Sequence, residues 1–157
     1  MTASGNDRPN TIHWPPLIYV AAGVAAFALD RTVAAWPLPQ LPSLELVGWG
    51  LAGLGLLVAM AGIVTFKQIG TVVDPTGQAV RLATTGVYRF TRNPMYLGVV
   101  LIFVGLGFAM RSAGLLLVTP FVVIALQRLA IVREEAYLQR RFGSDYDAYR
   151  RSVRRWV

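Results

Sequence analysis

The sequence predicts an all-α, polytopic membrane protein, with about four transmembrane helices, the last two forming a helical hairpin, and a C-terminal interfacial amphipathic helix. Three observations predict it. The chain is 55% hydrophobic and sets only eight acidic side chains against fifteen basic ones. Its apolar residues gather into four runs close to the roughly 20 residues that a helix needs to cross a bilayer. Its Lys and Arg residues fall in alternate connections, as they do when one membrane face is cytoplasmic. All 157 residues are read as one membrane domain.

The first run, residues 15–36, is "PPLIYVAAGVAAFALDRTVAAW". Its prolines suit a helix start, and Arg31 near its far end has the reach to snorkel to the interface. A cleaved signal peptide is the rival reading, but the preceding tail carries only Arg8, balanced by Asp7. The second run, 44–66, places Gly48, Ala52, Gly55, Ala59 and Gly62 on one stripe, a surface that lets another helix come close in lipid. The "GLG" at 53–55 is a further candidate for leaving room for a ligand. Residues 67–94 form a long, basic connection that mixes turn signals with aromatic residues, the pattern of a cap or binding element more than of a linker. The third and fourth spans, 95–110 and 114–132, meet at a short turn, "RSAGL", and so pair as an antiparallel hairpin. Gly143 then breaks the helix. Ser144 with Asp147 resembles a capping box, and Tyr146, Tyr149, Val153 and Trp156 make one face of an expected amphipathic helix over 144–156. Its primary expected role is membrane anchoring; helping to roof a site is the second.

Grouping the connections on this plan puts thirteen of the fifteen basic residues on one side, leaving Arg31 and Arg111 for the other. The expectation is a multi-pass protein of a cell membrane of the bacterial inner-membrane type, with both termini cytoplasmic. A net charge of +7 beside long apolar runs points to anionic lipid at the cytoplasmic face and not to nucleic acid. No cysteine is present, which excludes disulfides and thiolate chemistry, and His13 has no partners for a metal site, so no metal is expected.

Reflecting the hairpin about its midpoint places Asn93 opposite Glu134, each about 30 Å of helix from the turn. Two polar clusters, "YRFTRNPMY" and "REEAY", therefore meet at one membrane face. Arginines and a tyrosine at a helix end are ordinary interface anchors. Two adjacent carboxylates in an otherwise basic interface are not. An acid pair opposed to guanidinium and amide groups suits a zwitterion.

These residues also carry a resemblance. "TTGVYRFTRNPMYLG", followed after a hairpin by "EEAYLQRRFGSDYDAYRRSVRRW", resembles the isoprenylcysteine carboxyl methyltransferases and their relatives the phospholipid N-methyltransferases, over roughly residues 66–157. The resemblance implies an integral-membrane methyltransferase using S-adenosylmethionine, with the cofactor entering from the cytosol and a lipophilic or lipid substrate from the bilayer. It places the cofactor signature on Arg92, Asn93, Pro94, Tyr96, Leu97 and Gly98, and the acid pair on Glu134 and Glu135. The family often has His where this chain has Asn93, a residue that cannot take a proton near neutral pH.

The chemistry of the residues agrees. A zwitterionic sulfonium nucleoside needs a carboxylate, guanidinium or amide donors, and an aromatic slot. Glu134 and Glu135, then Arg89, Arg92 and Asn93, then Tyr88 and Tyr96 supply these, with Glu134, Glu135 and Arg92 as the candidate catalytic groups. One glutamate is expected to hold the cofactor ammonium and the other to pair with Arg89 or Arg92. The acceptor stays open among carboxylate, amine and thiol, as does the oligomeric state. The non-enzymatic alternative is a small membrane interaction or transport protein in which the polar cluster is a structural clasp.

Overall fold

A computed structural model describes residues 14–32, 41–70 and 81–157. Arg8, His13, the last four residues of the expected first span and residues 71–80 of the long connection lie outside the described residues. Within them the chain is helical, with no strand. Helix α1 covers Trp14–Thr32, α2 Pro42–Gln68, α3 Pro94–Ala109, α4 Ala113–Leu126, α5 Val132–Phe142 and α6 Ser144–Ser152, with a 3-10 turn at Gly86–Arg89 before α3. A π-turn, Gln127–Ile131, joins α4 to α5, so that Ala113–Phe142 is one continuous helix, longer than the expected 114–132.

The helix starts follow local chemistry. Pro42 and Pro94 open α2 and α3, where the missing N–H costs nothing and φ is already helical. Ser112 caps α4 by accepting from the Leu115 N–H at 3.0 Å. Asp30 of α1 completes that cap from outside the helix. Its carboxylate accepts from Ser112 Oγ at 2.5 Å and from the Gly114 N–H at 2.7 Å. An acidic residue near the far end of the first helix is thus spent on the orphan donors and positive end of another. Beside it Arg111 pairs with Glu45 at 3.3 Å.

The small-residue stripe on α2 packs as its spacing predicts. A Cβ on Gly55 would lie 2.5 Å from the Gly98 carbonyl oxygen, and one on Gly98 would lie 2.5 Å from that of Gly55. Gly48 meets Gly105 and Ala109, and Gly62 meets Pro94 and Met95. Helices α2 and α3 therefore touch backbone to backbone at Gly48–Gly105 and Gly55–Gly98, the close approach that replaces a hydrophobic drive in lipid. Gly53 has open space around it, so the "GLG" contributes one packing glycine and one outward one.

The remaining contacts set the order of the bundle as α2, α3, α4, α1. Ala22 and Ala26 of α1 pack on Val118, Val122 and Leu126 of α4, with Tyr96, Val100 and Phe103 of α3 against the same cluster. The buried α4 residues step by four to Leu126. In the π-turn both Ala130 and Ile131 are buried, and three and four residues beyond Ile131 come Glu134 and Glu135. One extra residue in the turn thus sets the phase of the acid pair, a use of π-turns common near functional sites.

Outward faces are apolar: Val24, Leu57 and Phe121 are 64%, 68% and 71% exposed. Helix α2 and the helix Ala113–Phe142 are each long and apolar enough to cross a membrane, while α3 is apolar but has 16 residues.

The C-terminal segment departs from expectation. Helix α6 stops at Ser152, and Val153 turns extended at φ −128°, ψ 133°. Tyr146 and Tyr149 are buried against protein, with Tyr88 and Ala83 as partners. The tyrosine face that reads as a membrane anchor is instead the inner face of a roof over the helix ends. Nor does the capping box form: Gly143, at φ 50°, is the residue before the helix, and the Asp147 carboxylate accepts from Gln139 at 3.0 Å.

Candidate functional site

The hairpin brings the two polar clusters together: Arg92 meets Glu135, as the linear reflection places them, while the partner of Glu134 lies one helical turn further along α3 than the reflection gives. Glu134 is met by Tyr96, whose Oη donates to Oε1 at 2.5 Å, and not by Asn93. Glu135 is met by Arg92, with Nη1 at 3.1 Å from Oε1. The same Arg92 Nη1 also donates to Tyr146 Oη at 3.1 Å.

A second cation on Glu135 comes from the tail. Arg155 forks onto both oxygens, Nε to Oε1 at 2.9 Å and Nη2 to Oε2 at 2.6 Å. Hydrogen bonding to Glu135 pushes the Arg155 guanidinium above its ordinary pKa and so holds its charge. Sequence reading counts Arg155 only among the basic residues that set topology. The signal was the Arg-Trp that ends the family-like pattern.

The tail itself is tied down. The Arg92 N–H donates to the Arg154 carbonyl at 3.0 Å. The Asn93 amide donates to the Arg155 carbonyl at 2.9 Å, and Thr91 Oγ1 to the same oxygen at 3.2 Å. Trp156 packs among the α1, α3 and α4 side chains, its Nε1 donating to Gln127 at 3.3 Å. What the tail requires of Asn93 is thus a buried donor. A histidine could meet that requirement equally.

Tyr88 and Arg89 separate on the 3-10 turn. Tyr88 goes inward and stacks on Phe66, with ring centroids 5.1 Å apart and planes 7° from parallel. Its carbonyl accepts from Tyr149 Oη at 2.8 Å. Arg89, one tight turn step away, is exposed and lines a groove with Thr84, Asp145, Ser152 and Val153. The expectation that Arg89 faces the glutamates is corrected: burying Tyr88 on Phe66 turns the next side chain out.

Pro94 and Gly98 are buried in the α2–α3 contact, and Leu97 is a half-buried residue of the first turn of α3. Pro94 and Gly98 therefore shape the helix start that carries Arg92 and Tyr96.

Two polar atoms in this cluster are buried with no hydrogen-bond partner among the described residues: Arg92 Nε and Tyr88 Oη. Burial, with the neighbouring Tyr149 and the charge of Glu134 adding to it, pushes the Tyr88 phenol above its ordinary pKa, so its hydroxyl remains a donor. Two strong donors without acceptors in a buried site cost free energy.

A bundle of apolar helices that gathers an acid pair, a buried guanidinium and four tyrosines at one end has the make-up of a helical membrane protein with a polar cluster at that end. Residues 44–145 match the family described as phospholipid methyltransferase, well over half of the chain. The chain belongs to the phospholipid methyltransferase family, a family of membrane methyltransferases. The match runs from α2 into the first turn of α6, leaving α1 and the tail outside it. An uncharacterized protein of Haemophilus influenzae is 40% identical over 35 residues, which are 22% of this chain and 56% of that protein. The match thus spans little more than half the length of that relative. No solved structure matches the chain.

Proposed function

We propose that the protein transfers a methyl group from S-adenosylmethionine to a lipophilic acceptor at the cytoplasmic membrane face. The observation that carries this reading is the pair of unsatisfied donors, Arg92 Nε and Tyr88 Oη, beside a carboxylate, Glu134, that has no cationic partner among the described residues.

The residues fit the cofactor. Arg92 Nε and Tyr88 Oη suit a carboxylate. Glu134, whose hydrogen bond among the described residues goes to Tyr96 through Oε1, keeps Oε2 for an ammonium. Glu135 holds two guanidiniums already, so Glu134 is the cofactor-binding glutamate and Glu135 supports Arg92. When bound, S-adenosylmethionine supplies a methyl group activated by a sulfonium. The chain's part is alignment and exclusion of water. Tyr96 fixes the Glu134 carboxylate, and Tyr88, Tyr146 and Tyr149 close the roof. For an acceptor that is a carboxylate or thiolate no base is needed; for an amine, Glu134 is the base at hand.

The proposal includes four spans, with α1 and α3 crossing beside the two long helices and both termini cytoplasmic in a bacterial inner membrane. The exposed apolar faces of α1, α2 and α4 support it, since so much apolar surface on a monomer calls for lipid or a partner. The exposed arginines Arg128, Arg133 and Arg140 near the acid-pair end suit anionic headgroups.

Titration of labelled S-adenosylmethionine onto the purified, detergent-solubilised chain tests the reading. Saturable binding is expected; a folded sample without it overturns the proposal. Mass spectrometry of a lipid extract incubated with labelled cofactor then identifies the acceptor.

A further inference from the structure

We propose that Arg155, in the tail beyond α6, is a positioning residue of the methyl-donor site: through Glu135 it keeps Arg92 Nε available to a ligand carboxylate. The inference rests on the cofactor reading above and concerns a segment that the family match, ending at residue 145, does not include.

The backbone of the tail is immobilised on the element it serves. Thr91, Arg92 and Asn93 all donate to the Arg154 and Arg155 carbonyls, and Trp156 anchors the chain just beyond. From that fixed base the Arg155 guanidinium takes both oxygens of Glu135 in a fork, the pairing for which planar guanidinium is suited.

The consequence falls on Arg92. With Oε2 committed to Arg155, Arg92 reaches Glu135 through Nη1 alone. Its second contact, to Tyr146 Oη, uses the same nitrogen. Its Nε, in a side chain only 9% exposed, is left without a partner among the described residues. Remove the Arg155 guanidinium and Oε2 loses its donor and is free to accept from another. Arg92 is then the cation in place to fork onto Glu135, and a fork through Nε and a terminal nitrogen spends the donor that the ligand needs. Arg155 thus acts by competing with Arg92 for the carboxylate.

The test compares two ligands on the full chain in detergent: S-adenosylhomocysteine and its decarboxylated counterpart, which keeps the ammonium, thioether and nucleoside. In Arg155→Ala the first is expected to bind at least about tenfold more weakly, the loss of a charged hydrogen bond, and the second within about twofold of the parent. Arg155→Lys, which keeps the charge but not the fork, is expected to lose a smaller part of the same selectivity, and it decides the matter if the alanine variant does not fold. Equal affinity for S-adenosylhomocysteine in variant and parent overturns the role. So does an equal loss for both ligands, the result of a merely structural tail. A parent chain that binds neither ligand removes the cofactor reading instead, and this role with it.

Discussion

Substituting the two glycines of "GLG" separately measures how the bundle is held together. A Cβ on Gly55 would stand 2.5 Å from the Gly98 carbonyl oxygen and 2.9 Å from the Ile102 nitrogen, against an ordinary contact of 3.4 Å or more. The helices must part by about 0.9 Å at that point, and backbone atoms cannot turn aside as a side chain can. The same contact line includes Gly48 against Gly105 and Gly62 against Pro94, so a local shift strains all of it. Overpacking of this kind costs about 1–3 kcal/mol, and a contact between two backbones belongs at the upper end. Gly53 has nothing within 4 Å, and Ala there gains about 0.5–1 kcal/mol of helix propensity where it acts. Thermal unfolding of Gly53→Ala and Gly55→Ala, followed by circular dichroism in one detergent, should give opposite signs: Gly53→Ala at or above the parent, Gly55→Ala below it. Equal midpoints for the two variants would refute the backbone-contact account of the α2–α3 pair.

Other perturbations separate the parts of the site. Glu134→Gln should weaken S-adenosylmethionine binding at least tenfold, about 1.5–3 kcal/mol for a charged hydrogen bond, with little change in unfolding midpoint; unchanged affinity would remove Glu134 from the site. Glu135→Gln should instead destabilise the fold by about 3 kcal/mol, because the guanidinium of Arg92 stays buried without its partner, and a midpoint equal to the parent's would contradict that. Asn93→His should keep stability and cofactor affinity because it can still donate to the Arg155 carbonyl, whereas Asn93→Leu should lose both; thermal unfolding and cofactor titration distinguish them. Asp30→Ala should cost at least about 2 kcal/mol through the lost bonds to Ser112 and Gly114 while leaving cofactor affinity unchanged, since it lies at the other end of α4 from the acid pair; unfolding and binding curves check both halves.

Part of this cluster is legible in the sequence. An acid pair in a basic interface, and a hairpin short enough to bring it back to "YRFTRNPMY", needed only chain geometry. The reflection pairs Arg92 with Glu135, as found, but it does not give the partner of Glu134, because it assumes two ideal helices. The π-turn between Gln127 and Ile131 adds to one arm, and Glu134 meets Tyr96 in place of Asn93. Arg89 and Arg92 looked equivalent along the chain. A 3-10 turn anchored by Tyr88 on Phe66 sends one out and keeps the other in.

The sequence by itself determined the helical class, the apolar runs, the small-residue stripe and the proline and serine helix starts, because each depends on residues within a few positions of one another. Only the tertiary structure decided which carboxylate holds two guanidiniums and which is met by a tyrosine. That choice rests on Arg155, twenty residues from Glu135 along the chain, and on a tail whose extended path is set by hydrogen bonds to Thr91, Arg92 and Asn93. It also turned the tyrosine face of α6 from membrane to protein. Amphipathic spacing records that a face is apolar, but what covers that face depends on which elements the whole fold brings beside it.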